Sequence, residues 1–407
     1  MAKVIVIGGG PAGMMAAIKA SENHSVILVE GNERLGKKLF ITGKGRCNVT
    51  NAKDISELFE YIPGNPSFLY SALYTFTNED VINMFNSLGV ELKIERGDRV
   101  FPKSDKSSDI TNALQKKLIS SGVEILLKSK VDKLIKKENK ITGVMLSSGE
   151  NIKGDYFIMA TGGKSYPSTG STGDGYKFAK DLGHTIIEPK PSLVPIEISD
   201  EWVKKLQGLS LKNIEVKLYR DNKLVFKDFG EMLFTHFGIS GPVILSASRY
   251  ISGKGKYILS INLKPALNEQ ELDMRIQKDF KKYINKDFKN SLDDLLPQKL
   301  IDTIIYLSNI DANKKVNTIT KEERKNLLYI LQNLNLNVRG LRPIEEAIVT
   351  AGGVSTKEID SSTMKSKLVN NLSFCGEIID VDAFTGGYNV QIALSTGYLA
   401  GEKVGEI

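Results

Sequence analysis

Val4-Ile-Val-Ile-Gly-Gly-Gly-Pro-Ala-Gly13 opens the chain, and Thr42-Gly-Lys-Gly-Arg-Cys-Asn-Val-Thr-Asn51 follows after one further apolar run. The first stretch is β-branched, ends in Gly8-x-Gly10-x-x-Gly13, and precedes an Ala- and Met-rich segment. The second apolar run, Val26–Val29, leads into Glu30. A strand, a Gly-rich turn, a helix and a second strand with an acid about twenty residues on predict a βαβ unit that binds a dinucleotide.

Each residue of this fingerprint has a physical task. Gly8 allows the tight turn out of the strand, Gly10 lets the backbone approach a pyrophosphate, and Gly13 lets helix and strand pack closely. The amides that open the helix carry partial positive charge, which attracts phosphate. The Glu30 carboxylate accepts hydrogen bonds from ribose hydroxyls. The fingerprint alone does not distinguish NAD from FAD.

Size and composition set the protein class. The 407 residues predict two or three domains, and 41% hydrophobic with 25% charged residues is typical of a globular protein. No apolar run reaches the length of a membrane span, and no signal peptide is recognised. The two cysteines lie far apart, and no Cys/His metal spacing is present, so we expect a cytoplasmic protein with neither a disulfide nor a metal site. The net charge of +7 permits a polyanionic partner, although a Lys-rich surface explains it equally well.

The pattern along the chain predicts an α/β fold with an insertion. A parallel strand ends in Ala160-Thr-Gly-Gly163, and Pro189, Pro191 and Pro195 are expected to break regular structure at a domain boundary. Short strands, a helical region and a return to Gly-rich sequence follow. We expect a Rossmann-like FAD-binding domain from residues 1–191 and 343–407, an inserted β-barrel from 192–263 and 336–342, and an inserted helical domain from 264–335.

Two features of the C-terminal part favour FAD. Glu377 suits ribityl hydroxyls, and the amides of Gly387, Tyr388 and Asn389 at a helix N-terminus favour negative charge on a reduced flavin. A second GxGxxG is absent, so a separate NAD(P)H domain is not expected. NAD(P)H would instead dock transiently as the reductant.

The same motifs identify a family. They are Gly8–Gly13, Arg34-x-Gly36-x-Lys38, Thr42–Asn51, Arg99-Val-Phe-Pro102, Ala160-Thr-Gly-Gly-x-Ser-Tyr-Pro167, Gly170–Gly175, Thr235-His-x-Gly-Ile-Ser-Gly-Pro242, Gly376-Glu-x-x-Asp-Val-Asp382 and Thr385-Gly-Gly-Tyr-Asn-x-Gln391. With them the chain resembles the BaiN/YhiN-like flavoproteins, also described as NAD(P)/FAD-dependent oxidoreductases or aminoacetone-oxidase-like enzymes. The resemblance implies a FAD domain with a bipartite insert.

On the fingerprint and these motifs, we expect one set of residues to contact FAD. The set comprises Gly8, Gly10, Pro11, Ala12, Gly13, Glu30, Arg34, Gly36, Lys37, Lys38, Thr42, Gly43, Gly45, Arg46, Asn48, Val131, Ala160, Thr161, Gly162, Gly376, Glu377, Asp382, Gly387, Tyr388, Asn389 and Val390.

The resemblance also implies flavin redox chemistry. Family activities include reduction of steroid-like enones, amine oxidation, and reduction of uridine to dihydrouridine in 23S ribosomal RNA. Reduction of an enone or uracil needs a protein acid that protonates the α-carbon. Cys47 and His236 are our candidate acids, although Cys47 is equally explained as a packing residue and His236 as a loop cap. We expect His24, His184 and Cys375 to be structural.

Three functions stay open on the sequence. The first is an RNA-modifying flavoenzyme whose mildly basic insert touches phosphates, and the second is a small-molecule enone reductase or amine oxidase. The third is a flavin-binding interaction protein without catalytic activity. The positive charge favours RNA, but no RNA-binding motif is recognised. Nothing in the sequence specifies an oligomeric state.

Overall fold

The computed structural model describes residues 1–405 and divides the chain into two compact units. Unit 1 comprises Met1–Ser192 together with the segment from Ile344 onward, and unit 2 comprises Leu193–Pro343. Each junction lies one residue later in the chain than the sequence-based boundary. Both chain ends therefore build unit 1.

The N-terminal part of unit 1 alternates strands with short helices. Its strands are β1 Lys3–Ile7, β2 Ser25–Val29, β3 Thr50–Asn51, β4 Leu92–Glu95, β5 Arg99–Pro102, β6 Glu124–Leu126, β7 Val131–Lys137, β8 Lys140–Leu146, β9 Asn151–Lys153, β10 Tyr156–Met159 and β11 Ile186–Ser192. Its helices are α1 Pro11–Ala20, α2 Ile55–Leu58, α3 Tyr70–Thr75, α4 Asn78–Ser87, α5 Ser107–Ser120 and α6 Asp174–Asp181.

Unit 2 is a closed six-stranded barrel with helices. Its strands are β12 Ile196–Ile198, β13 Ser210–Arg220, β14 Lys223–Phe234, β15 Gly238–Ser240, β16 Tyr257–Asn262 and β17 Leu334–Leu341, in the order β12-β15-β14-β13-β16-β17. Its helices are α7 Trp202–Lys205, α8 Pro242–Ser248, α9 Glu269–Lys282, α10 Gln298–Ser308 and α11 Lys321–Gln332. The two separate strands expected over 224–229 and 232–235 are one strand, β14, and β17 begins at Leu334, inside the range expected to be helical.

The chain then returns to unit 1 with β18 Val349–Val354, β19 Leu372–Phe374 and α12 Tyr388–Glu402. The central sheet of unit 1 is parallel, with strand order β19-β10-β1-β2-β6. Residues Val4–Ile7 of β1 are at most 4% exposed, because helices cover a parallel sheet of this kind. The predicted fold class, a Rossmann-like domain formed by both chain ends with an inserted β-barrel, is confirmed.

Helix α12 packs on α1 through small residues. A Cβ on Gly397 would lie 2.3 Å from the Ala12 carbonyl oxygen, and one on Gly401 would lie 2.4 Å from that of Ala16. Only glycine permits this approach of two helix backbones. The contact brings the C-terminal helix beside the dinucleotide fingerprint.

Helices α4, α9 and α11 begin with capping boxes. The side chains of Thr77, Asn268 and Thr320 each accept a hydrogen bond from the backbone N–H three residues on, and the acid there bonds back. Such caps each stabilise a helix by about 1 kcal/mol. Because the interaction spans only three residues, the sequence alone specifies it.

The prediction that prolines break regular structure is wrong for Pro189 and Pro191, whereas Pro195 lies between β11 and β12, close to the boundary of the two units. β11 runs through Pro189 and Pro191 and pairs antiparallel with β18. Pro189 lies where the register shifts, and Pro191 lies opposite Thr350, whose N–H bonds to Glu377 instead. Proline lacks an N–H, so it fits a two-stranded sheet at positions where no donor is required.

The strands over residues 124–153 belong to two different sheets. Only β7, β8 and β9 form the antiparallel meander, whereas β6 joins the parallel sheet beside β2. Within residues 1–405, no helix is long and apolar enough to cross a membrane.

Candidate functional site

The segments expected to bind the cofactor follow four strands at one edge of the parallel sheet. Gly8, Glu30 and Ala160 come directly after β1, β2 and β10, and Gly376 comes two residues after β19. Backbone hydrogen bonds of 2.9–3.1 Å hold these strand ends side by side. In open α/β sheets, ligands bind outside the carboxyl ends of the strands.

The fingerprint glycines have the geometry that their tasks require. Gly8 has a φ of +106°, and a Cβ there would lie 2.4 Å from the Ala160 carbonyl oxygen. A Cβ on Gly13 would lie 1.9 Å from the Gly8 carbonyl oxygen, so helix and strand approach only through glycine. Around Gly10, which caps α1 before Pro11 and Ala12, a Cβ would meet no described protein atom within 4 Å. The space beside the N-terminus of α1 therefore suits a phosphate group.

The Glu30 carboxylate is held in a fixed orientation. One oxygen accepts from the Gly9 N–H at 2.7 Å, and the other accepts from the N–H and the side-chain amide of Asn32, both at 2.7 Å. The Ser129 N–H donates to the Glu30 carbonyl at 2.9 Å, which brings buried Val131 at the start of β7 into the neighbourhood. A carboxylate oxygen has more than one lone pair, so Glu30 retains acceptor capacity for ribose.

Arg34 and Lys37 have surface partners. The Arg34 guanidinium lies 4.7 Å from the centre of the Phe40 ring, and the Lys37 amino group lies 3.1 Å from the Glu33 carboxylate. Gly36 has a φ of +66°, which this turn requires. The contribution of these three residues to cofactor binding stays a prediction.

Lys38 and Glu377 form an ion pair. The amino nitrogen lies 2.6 Å from the Glu377 carboxylate and 2.6 Å from the Ser165 hydroxyl. The other Glu377 oxygen accepts from the Ser165 hydroxyl at 3.0 Å and from the Thr350 N–H at 2.8 Å. The Thr350 hydroxyl in turn accepts from the backbone N–H groups of residues 164 and 165. The carboxylate expected to bind ribityl hydroxyls is thus oriented by a network that joins four distant segments.

Our sequence reasoning missed Ser165 and Thr350 as parts of this network. Ser165 lies inside a motif that we quoted, but its residue type gave no further signal. Thr350 lies within an apolar strand, where a threonine is ordinary.

The Thr42–Asn51 segment folds back on itself. It combines the end of a 3₁₀ helix, Leu39–Gly45, with strand β3, and the Cys47 N–H donates to the Thr42 carbonyl at 3.0 Å. Gly43, Gly45 and Cys47 have φ values of +56°, +86° and +61°. Positive φ in a non-glycine residue such as Cys47 costs of the order of 1 kcal/mol, so the surrounding structure holds this residue in place.

Arg46 is engaged within unit 1. Its guanidinium lies 2.8 Å from Glu95, 3.3 Å from Asp105 and 4.1 Å from the centre of the Phe101 ring. The hydrogen bond to Arg46 lowers the pKa of the Glu95 carboxyl. Arg46 would have to exchange these partners to bind pyrophosphate, so that assignment stays a prediction.

Two buried polar atoms in unit 1 have no partner. Among residues 1–405, only the Asn48 side-chain oxygen and the Thr161 hydroxyl are buried side-chain polar atoms without a hydrogen bond. Asn48 follows Cys47, and Thr161 lies between Ala160 and Gly162 at the end of β10. Leaving such an atom unsatisfied costs about 1–3 kcal/mol, so native structures seldom retain one without a ligand or water.

The candidate acids differ in exposure. The Cys47 thiol is 0% exposed, and burial raises its pKa to about 12, so it is protonated at neutral pH. His236 is exposed and lies in the turn between β14 and β15. Its ring packs edge-on against Phe237 at 4.9 Å. Both assignments stay predictions.

The other two histidines and Cys375 are internal to unit 1. His24 accepts from the Ala2 N–H, and the His184 ring nitrogens lie 3.2 Å from the Ala179 carbonyl and 2.8 Å from the Ser366 hydroxyl. Cys375 is 0% exposed.

The N-terminus of α12 is built around β3. A Cβ on Gly387, whose φ is +100°, would lie 2.3 Å from the Thr50 carbonyl oxygen. The Thr50 hydroxyl donates to buried Gln391 at 2.5 Å, and the Asn51 amide donates to the Gly386 carbonyl at 3.1 Å. The Thr42–Asn51 segment and the segment from Gly386 to Gln391 therefore pack together as one structural element. The sequence alone predicts neither contact.

Four more of the expected cofactor residues shape this region. The Asn389 side chain donates to the Ala383 carbonyl at 2.7 Å and closes the loop before α12, with Val390 half-buried behind it. The Tyr388 ring stacks on Tyr61, with ring centres 4.7 Å apart. Asp382 is 1% exposed, and its carboxylate accepts a hydrogen bond of 3.0 Å from the hydroxyl of Ser192, the last residue of β11. The Asp382 side chain therefore helps to hold the end of β11 in place.

These residues fit FAD. The open space at Gly10 suits the pyrophosphate, and Glu30 retains acceptor capacity for ribose. The buried polar atoms of Asn48 and of Thr161 are free to bond to polar atoms of the cofactor. The amides at the N-terminus of α12 provide donors for an anionic ring edge. Among residues 1–405, no group of three or more His, Cys, Asp or Glu side chains is arranged to hold a metal ion.

Comparisons with known proteins identify the family of the chain. The family model described as the HI0933-like protein Rossmann domain matches residues 2–403. The 3-dehydro-bile acid delta(4,6)-reductase of Clostridium scindens is 31% identical and covers 100% of both chains. The ribosomal RNA dihydrouridine synthase of Haemophilus influenzae is 33% identical over 97% of this chain and 96% of its own.

A solved structure shares the fold. The 3-ketosteroid-delta4-(5alpha)-dehydrogenase of Rhodococcus jostii superposes with a TM-score of 0.50 at 12% identity, covering 99% of this chain and 96% of that one. Since the family model and the curated relatives span nearly the whole chain, the protein belongs to the HI0933-like family of Rossmann-domain proteins and is an FAD-dependent oxidoreductase.

Proposed function

We propose that this enzyme reduces a carbon–carbon double bond conjugated to a carbonyl group. Its proposed substrate is a uridine of 23S ribosomal RNA, which becomes dihydrouridine, with NAD(P)H as the transient reductant. The names of the relatives support the reaction, because a delta(4,6)-reductase and a dihydrouridine synthase both add two hydrogens across a double bond. The choice of RNA over a small-molecule substrate is based on how charged residues are distributed between the two units.

The distribution of charge carries the RNA assignment. Unit 2 contains 25 Lys and Arg against 18 Asp and Glu, whereas residues 1–192 and 344–407 contain 30 of each. The entire net charge of +7 thus lies in unit 2. A concentrated positive charge attracts a polyanion, and contacts to phosphate dominate the affinity of proteins for nucleic acids. A steroid substrate requires no such concentration.

The residues of unit 1 have distinct tasks in this reaction. Bound FAD supplies the hydride that the C6 carbon of uracil accepts. Gly10 and the amides of α1 would hold the pyrophosphate, Glu30 would hold the ribose, and Asn48 and Thr161 would bind polar atoms of the cofactor. The ion pair with Lys38 fixes the orientation of the Glu377 carboxylate.

The C5 carbon must receive a proton from an acid within reach. The Cys47 thiol is protonated near pH 7, as a donor must be, but it is 0% exposed. Cys47 therefore donates only if the Thr42–Asn51 segment shifts when substrate binds. His236 is exposed and remains the second proposed donor.

Deletion of the gene followed by dihydrouridine mapping in 23S RNA tests the substrate. We expect one dihydrouridine to disappear and to return when the purified enzyme, with NADH or NADPH, acts on protein-free 23S RNA from the deletion strain. Unchanged dihydrouridine in the deletion strain would contradict the RNA assignment.

The second candidate is a small-molecule enone reductase. Its support is the end-to-end identity of 31% with the bile acid enzyme. Turnover of a 3-oxo-4-ene steroid with NAD(P)H, together with unchanged dihydrouridine, would favour it. Oxidation of a primary amine with release of hydrogen peroxide would instead favour the amine oxidase alternative.

A further inference from the structure

The turn of the β13–β14 hairpin lies beside the loop that leads into β16. The Arg220 guanidinium donates to the Lys254 carbonyl at 2.7 Å. The Lys256 N–H donates to the Asp221 carboxylate at 2.9 Å, and the Asp221 N–H donates to the Lys256 carbonyl at 2.9 Å. We call these two segments, Arg220–Leu224 and Ile251–Lys256, the basic end of the barrel.

The charge of unit 2 is concentrated around this basic end. Residues 210–230 and 249–257 contain eight Lys and Arg against three Asp and Glu, a net +5 of the unit's +7. Lys217 and Lys227 both pair with Glu215, whose single carboxylate offsets one of their two positive charges. The cations without an acidic partner are other residues.

Three lysines carry that charge. Lys223, Lys254 and Lys256 are exposed, and among residues 1–405 no acidic side chain pairs with any of them. The hydrogen bonds that the Arg220 and Asp221 side chains make with the backbone of the loop place these three lysines on one end of the barrel. An isolated charged side chain on a surface is ordinary, but three unpaired cations on two joined loops form a continuous anion-attracting surface.

The loop itself requires glycine. Gly253 has a φ of +71°, and a Cβ on Gly255 would lie 3.0 Å from both the Arg220 Nε and the Asp221 carboxylate. Glycine therefore keeps the two lysine-bearing segments in contact. Leu224, which is 52% exposed, adds apolar surface beside the cations.

We propose that the basic end of the barrel binds the phosphodiester backbone of the RNA substrate. Lys223, Lys254 and Lys256 contact phosphates and contribute affinity, whereas the chemistry takes place elsewhere in the protein. This inference rests on the proposed function in one respect, that the substrate is RNA.

The test neutralises the three lysines together as Lys223→Gln, Lys254→Gln and Lys256→Gln. The control makes the same change of charge on the β7–β8 hairpin of unit 1, as Lys133→Gln, Lys137→Gln and Lys140→Gln, where all three lysines are exposed and unpaired among residues 1–405. The FAD-loaded variants are titrated with a transcript of 23S RNA from low to high KCl.

We expect the basic-end variant to bind at least about tenfold more weakly at low salt. The slope of log affinity against log salt should fall by about 2, since each phosphate contact on single-stranded nucleic acid contributes about 0.7. The control variant should stay within about twofold of wild type. Bound FAD and NAD(P)H oxidation with an artificial acceptor should be unchanged in both.

Three results would overturn this inference. The first is a basic-end variant whose RNA affinity and salt slope equal those of wild type, and the second is an equal loss of RNA affinity in the control variant. The third is binding to phosphatidylserine vesicles that depends on these lysines, without binding to RNA. The proposed function fails separately, if the wild type binds RNA through these lysines but forms no dihydrouridine. Conversely, the basic-end variant could form dihydrouridine with an unchanged KM for RNA. That result would reject the basic end as an RNA-binding surface and leave the proposed function intact.

Discussion

Replacing Gly10 by alanine separates cofactor binding from folding. A Cβ at this position would meet no described protein atom within 4 Å, and the residue has a φ of −76° and a ψ of −178°, which alanine adopts readily. The fold should therefore accept the methyl group. If the pyrophosphate of FAD occupies the space beside Gly10, the same methyl group displaces it.

The two effects differ in size. Alanine caps a helix less well than glycine, so the apoprotein should lose at most about 1 kcal/mol of unfolding free energy. A displaced phosphate loses one or two hydrogen bonds to charged groups, each worth about 1.5–3 kcal/mol. The dissociation constant for FAD should therefore rise by about tenfold or more.

Two further variants serve as controls for Gly10→Ala. Gly340→Ala in β17 also places a methyl group where no described atom lies within 4 Å, but far along the chain from the fingerprint, so both stability and FAD affinity should be unchanged. Gly13→Ala places a Cβ 1.9 Å from the Gly8 carbonyl oxygen, which forces α1 away from β1. Overpacking of this kind costs about 1–3 kcal/mol, so this variant should lose stability as well as FAD.

The assay is titration of apoprotein with FAD by flavin fluorescence, paired with urea unfolding of the same apoproteins. The expected pattern is weaker FAD binding with retained stability for Gly10→Ala, and no change for Gly340→Ala. If Gly10→Ala binds FAD as tightly as wild type does, the pyrophosphate does not lie at the N-terminus of α1.

Three further predictions concern buried groups of unit 1. Cys47→Ala should retain FAD and its reduction by NAD(P)H but slow turnover of the natural substrate by about 10²–10⁴-fold, and unchanged turnover would show that Cys47 is not the acid. Thr161→Val removes a hydroxyl without a partner, so the apoprotein should gain about 1 kcal/mol in urea unfolding while FAD binds more weakly; equal FAD affinity would contradict the assignment. Burial lowers the pKa of His184, so its contribution to stability is complete above the ordinary value of about 6.5 and is lost as pH falls toward the folded value. His184→Gln should therefore lose less stability than wild type between pH 7 and pH 5, and identical pH slopes would refute this.

Several site features were predictable because they depend on neighbouring residues. The tight turn at Gly8, the close packing at Gly13 and the position of Glu30 after β2 all follow from spacing within thirty residues. The capping boxes at Thr77 and Thr320 likewise depend on a residue and its neighbour three positions on. For such features, the residue types already specify the hydrogen-bond partners.

Other features were not predictable because their partners are distant in sequence. Lys38 was expected to contact FAD, but it pairs with Glu377, which is 339 residues away in the chain. Pro191 was expected to interrupt regular structure, but Thr350 opposite it directs its N–H to Glu377. The type of a residue determines which hydrogen bonds its side chain can form, but it does not determine which distant segment of the chain provides the partner.

The sequence by itself predicted a dinucleotide site at the N-terminus, and it determined that both chain ends build one domain into which a barrel is inserted. These conclusions rest on glycine spacing and hydrophobic periodicity, which act over a few residues. Only the tertiary structure decided that Thr50 and Asn51 hold the N-terminus of α12, that Asn48 and Thr161 are left without partners, and that Cys47 is buried. Those facts depend on contacts between segments more than a hundred residues apart, and the packing of the whole unit sets which atoms find a partner.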